Sequence, residues 1–159
     1  MIGGKMKAGG LIQHDHLAMV GIMDMPSRPG VSGKLFSELN EQGINVEIIV
    51  HLIGLEEKDH IVLCVDRDDV ERTKEVAERI RQETGGRAIT CDPEVASISL
   101  FGSDFRESRG VARQMFKALG DSNINIRAIS TSLSTISCVI EAICLDEAVE
   151  ALREAFIIP

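Results

Sequence analysis

Two stretches of the chain carry the same succession of apolar and polar positions. "HLAMVGIMDM" (16–25) and "VASISLFG" (95–102) read as strands, the second with the alternation of a half-buried one. Each runs toward a glycine, Gly30 or Gly110. Past it, apolar residues fall at i, i+4, i+5 and i+8: Val31, Leu35, Phe36 and Leu39, then Val111, Met115, Phe116 and Leu119. That spacing predicts a helix of about three turns with one apolar face. Gly43 ends the first helix as a C′ glycine does, and Asp121–Ser122–Asn123 ends the second with polar turn residues. The β-branched runs "INVEIIVHLI" (44–53) and "INIRAIST" (124–131) then predict strands.

A hairpin follows each. "GLEEKD" leads into "HIVLCV" (60–65), and "SLST" into "ISCVIEAI" (136–143). A second helix comes next, with Val70, Thr73, Ala77 and Ile80 on one face in the first copy and Ala148, Val149 and Leu152 in the other. "RAITC" (87–91) predicts a short closing strand, and only "FIIP" remains for the second copy. The register is constant from Gly30/Gly110 to Val46/Ile126, so the chain is a repeat. Two copies are too few for a solenoid and imply tandem domains. The order β-α-β-β-α-β is the split-βαβ arrangement, and the class is α+β, with two ferredoxin-like units whose helices cover one face of an antiparallel sheet.

Composition narrows the function. The 159 residues suit two small domains that pack on each other or on a second chain. A net charge of −8 argues against nucleic acid, which needs clustered Lys and Arg. No apolar run approaches a membrane span, and "MIGGKMKAGGLIQ" lacks a secretory core, so a cytoplasmic protein is expected. Cys64, Cys91, Cys138 and Cys144 form no C-x-x-C pair and are expected as reduced core thiols. Trp and Tyr are absent, which weakens any reading that needs stacking on a base.

The informative segment is "PSRPGVSG" (26–33), where a strand gives way to a helix. Pro29 fixes φ and pushes Arg28 to an extended conformation, and Gly30 permits a turn or a close ligand. The N–H groups of Val31 through Lys34 would suit a carboxylate, or the segment is only a well-punctuated helix start. Asn45 and Asn125 occupy equivalent places where propensity disfavours them, as turn residues or as working amides. "QHDHL" (13–17) offers an incomplete metal set and reads as a polar connection. "DRDDVERTKEVAERIRQE" reads as a solvated helix face, with pairs such as Glu75–Arg79. No nucleophile meets a base, no metal site or cofactor motif is present, and catalysis is not supported.

"PSRPGVSGKLFSELNEQGINVEIIVH", with "ISLFGSDFRESRGVARQMFKALGDSNINIRAISTS" and "ISCVI", resembles the tandem ACT domains of the aspartate kinase regulatory region. "AGGLIQHD" is similar to that family's strand ahead of the first unit, which gives a lead strand at 1–14 and ACT domains at 15–92 and 93–159. The resemblance implies a non-catalytic regulatory protein that senses a small, threonine-like amino acid at an ACT–ACT interface. It also implies a homodimer and control of a partner enzyme, a separate kinase first. The alternative is an interaction module without a ligand pocket. Carried over by position, the ligand-binding residues are Ser27, Gly30, Val31, Ser32 and His51 from one unit, with Asn125 and Ile126 from the other. Family members usually have aspartate at Ser27, glutamine at His51 and an acid at Leu133, so a charged partner for an ammonium group is missing.

Overall fold

The structure, a computed structural model, describes residues 5–103, 105 and 109–159. In chain order the elements are β1 (Met6–Lys7), β2 (Gly10–Pro26), α1 (Val31–Glu41), β3 (Val46–Ile53), β4 (Lys58–Asp66), α2 (Val70–Thr84), β5 (Ala88–Phe101), α3 (Val111–Asp121), β6 (Ala128–Thr131), β7 (Thr135–Glu141), α4 (Leu145–Ala155) and β8 (Phe156–Ile157). Two compact units result. His16–Glu94 forms the first, and the chain through Asp15 joins Val95–Pro159 in the second.

The first unit is an α+β fold with strand order β3-β4-β2-β5, to which β2 gives residues 16–26 and β5 gives 88–94. Inserting β4 antiparallel between β2 and β3 makes α1 the crossover of a split βαβ. Cross-strand pairs Val20↔Leu63 and Ile22↔Ile61 set one face of the sheet against α1 and α2. Leu35, Leu39, Val76, Ala77 and Ile80 close the core from the helices. Each fully buried leucine or isoleucine there contributes about 1.5–3 kcal/mol. The helix periodicity of 70–80 is confirmed, with Val76 added to the buried face.

The second unit repeats the plan with strand order β2-β5-β7-β6, using residues 10–15 of β2 and 95–101 of β5. Ile98↔Cys138 and Leu100↔Ile136 face Met115, Leu119, Ala148 and Leu152. The segment "FIIP" does form a strand, and β8 pairs parallel with β1 through Met6↔Phe156. Helix ends follow the repeat as well. Gly43 (φ 68°) and Asn123 (φ 56°) are both left-handed, and Ile44 and Ile124 donate back to Leu39 and Leu119 in matching 6→1 bonds.

Five expectations change. "QHDHL" is no connection but part of the long strand β2. Residues 87–91 and 95–102 belong essentially to one strand, since Asp92–Pro93–Glu94 does not interrupt β5. The strand expected over 124–131 is only Ala128–Thr131. Arg79 reaches across to Glu38 at 3.2 Å rather than along its own helix to Glu75. Of the cysteines, Cys64 and Cys138 are buried, but Cys91 is exposed and Cys144 lies half-buried in a 3-10 turn.

Candidate functional site

The strand–helix turn of the first unit is held from both sides by hydrogen bonds to backbone carbonyls. The Ser27 N–H donates to the Glu57 carbonyl at 3.1 Å, and the Arg28 guanidinium donates to the Thr84 carbonyl at 2.9 Å. Gly30 then takes φ 92°, ψ −12°, a conformation that L side chains rarely adopt, and opens α1. No side chain caps this helix and no acid sits in its first turn. The Lys34 N–H is not free, because it closes the first helical bond to the Gly30 carbonyl at 3.0 Å. The uncapped donors are therefore those of Val31, Ser32 and Gly33. A Cβ built on Gly30 or Gly33 would meet nothing within 4 Å, so the space before the helix is open. A cavity of about 310 Å³ lies on the α2 side of this helix start, lined by Arg28, Pro29, Gly30, Val31, Lys34, Ile80 and Thr84.

His51 comes to the first turn of α1 through a β-bulge. The pairing shifts by one residue between Val46↔Val65 and Ile48↔Cys64, which sets His51 opposite Ile61. Without that shift it would face His60 and project from the other side of the sheet. Instead His51 Nδ1 lies 3.4 Å from Ser32 Oγ, while Nε2 lies 3.1 Å from Asp59 Oδ2. Asp59 is only 6% exposed, and its Oδ1 has no hydrogen-bond partner among the described residues. The sequence reading missed Asp59 by placing it in a polar hairpin. Its signal was parity: Asp59 shares the alternation of Ile61, Leu63 and Val65, which makes it an acid on an apolar face.

Ser27, Gly30, Val31, Ser32 and His51 thus belong to the first unit, and Asn125 and Ile126 to the second. Asn125 is exposed in the segment before β6, and Ile126 packs its side chain against the second core. Asn45 spends its amide on Glu47 Oε1 at 3.1 Å. Gly110 (φ 97°) opens α3 as Gly30 opens α1, and Gln114 N–H returns to its carbonyl at 2.9 Å. Glu107 lies outside the described residues. Leu133 is exposed at the tip of the second hairpin. Among the histidines of "QHDHL", His16 meets Asp68 at 3.0 Å and Asp66 at 3.9 Å, in a group exposed throughout.

Models of the ACT domain match residues 19–85 and 98–156. An aspartate kinase of Pseudomonas putida is 34% identical over 139 residues, 87% of this chain and 34% of that protein. The chain therefore spans about a third of the length of the curated relatives it matches. The solved regulatory subunit of aspartate kinase from Thermus flavus superposes with TM-score 0.85 at 27% identity, covering 94% of this chain and 98% of that one. The aspartate kinase of Synechocystis gives TM-score 0.90 at 29% identity over 95% of this chain and 27% of its own. No helix among the described residues is long and apolar enough to cross a membrane. The chain belongs to the ACT-domain family and carries two ACT domains in tandem, similar to the regulatory region of aspartate kinases.

Proposed function

We propose that this chain is a non-catalytic allosteric regulator that binds a small, threonine-like amino acid and controls a partner enzyme. Similarity to aspartate kinase regulatory subunits supports the regulatory role. A separately made aspartate kinase is the first partner to test. The observation that carries the reading is the uncapped start of α1, open in front of Gly30 and flanked by Ser32 and His51. The N–H groups and the positive end of the helix dipole suit a ligand carboxylate. Ser27, Gly30, Val31, Ser32 and His51 form this half of the site, and ACT pairing brings Asn125 and Ile126 to complete it. No cofactor enters the reading. The chain works as a homodimer, since β3 is an edge strand that leaves Ile49, Leu52 and Ile53 exposed and edges of this kind are usually covered.

A thermal-shift screen against the twenty amino acids, followed by calorimetry, tests the binding. Threonine or serine should raise the melting temperature. No shift with any amino acid would leave an interaction module instead. Light scattering that reports only monomer at micromolar concentrations would refute the dimer, and phosphorylation of aspartate by the chain alone would refute the non-catalytic role.

A further inference from the structure

We propose that Asp59 is a positioning residue that makes this site select ligands bearing an ammonium group; the inference rests on the amino-acid-binding reading above. Asp59 is almost fully buried, yet one of its oxygens meets only His51 and the other meets no hydrogen-bond partner among the described residues. A carboxylate is not left so under-partnered in a core without cost. Its one partner is an imidazole that reaches outward to the first turn of α1.

The chemistry follows from the donor inventory. An ionised carboxylate only accepts, so the 3.1 Å contact places a proton on His51 Nε2. In the neutral ring Nδ1 is then an acceptor, and the Ser32 hydroxyl 3.4 Å away is the donor facing it. With its proton turned to the ring, Ser32 Oγ presents lone pairs to the space before the helix. Lone pairs backed by a buried negative charge favour a ligand N–H₃⁺ over a hydroxyl. Asp59 thereby restores, from the core, the negative charge that Ser27 does not carry at the turn. The free N–H groups of Val31, Ser32 and Gly33 remain for the ligand carboxylate.

Two measurements on the full chain test this. Nitrogen-15 NMR of the imidazoles should find His51 as the Nε2–H tautomer; a ring protonated on Nδ1 alone overturns the proposal. Calorimetry then compares L-threonine with its 2-hydroxy analogue, 2,3-dihydroxybutanoate. Asp59→Asn keeps an acceptor for Nε2–H but removes the charge, and should cut the preference for the amine about tenfold. In a His51→Gln background the same substitution should leave the preference unchanged, because the relay is already broken. Equal loss for both ligands, or the same loss without His51, would assign Asp59 to the fold and overturn the proposal. Threonine binding with the preference intact in Asp59→Asn defeats this inference alone. A native chain that binds neither ligand defeats the amino-acid-binding reading and the selectivity with it.

Discussion

Gly30 and Gly110 allow the cost of a backbone conformation to be separated from the cost of a blocked site. Both open a helix at strongly positive φ, 92° and 97°, and a Cβ added at either would meet nothing within 4 Å. An alanine therefore suffers no collision in the folded chain. It suffers only the left-handed penalty of an L-residue, about 1–2 kcal/mol. For a chain of this size that is roughly 2–8 °C in melting temperature, at about 2–4 °C per kcal/mol. Gly30→Ala and Gly110→Ala should thus lose similar stability by scanning calorimetry. They should differ in ligand binding. The methyl at Gly30 projects into the space assigned to the amino acid, whereas the turn at Gly110 is not assigned a ligand. Titration with L-threonine should show a loss of tenfold or more for Gly30→Ala and little change for Gly110→Ala. Equal binding losses would refute the asymmetry. A Gly30→Ala chain more stable than the native one would refute the positive φ itself.

Asn125→Ala should weaken threonine binding by about 1–3 kcal/mol, or roughly 5- to 150-fold, while Asn45→Ala, whose amide already serves Glu47, should change it little; calorimetry on both decides. Ser27→Asp should raise the affinity for lysine relative to threonine by supplying an acid at the turn, and competition titration would expose an unchanged ratio. Burial pushes the Cys64 and Cys138 thiols up to about 12, so at pH 8 a thiol reagent should label exposed Cys91 and spare those two until the chain unfolds. The same shifts set a pH dependence of stability. Folding raises both thiol pKa values above 9.0, so their effect is absent below pH 9 and destabilises the fold as pH climbs toward about 12, which denaturant titrations at pH 8 and 10.5 would measure.

Much of the fold was legible because its signals are local. Gly30 and Gly110 mark the helix starts, Gly43 and Asn123 the helix ends, and the apolar stripe between them needs only one turn of context. Those residues also located the helix-start half of the site. What the hydrophobic pattern itself does not show depends on register between strands, and His51 is named only through the family resemblance. Counting alternation from Val46 puts His51 on the face away from the helices, and only the bulge before Ile48 turns it toward Asp59. Nothing in the residues 43–66 announces where a bulge will fall. The continuity of β5 was hidden for a different reason, since Asp92–Pro93–Glu94 carries the composition of a turn. The pairing of β1 with β8 joins segments too short and too distant to leave a periodic trace.

The division of β2 and β5 between units sets an order of events during synthesis. All of His16–Glu94 has left the ribosome before the second unit has its helices, so the first unit can close on contacts from its own contiguous stretch. The second unit cannot. Gly9 must wait for the Phe101 carbonyl and Ala8 for the Ile157 carbonyl, so both pair only with segments made after the whole first unit. Closing so long a loop is slow unless its ends are already held, and the folded first unit, which anchors residues 16–26 of β2, shortens the span that remains to be searched. The unit that carries Gly30 and His51 thus closes before the unit that carries Asn125.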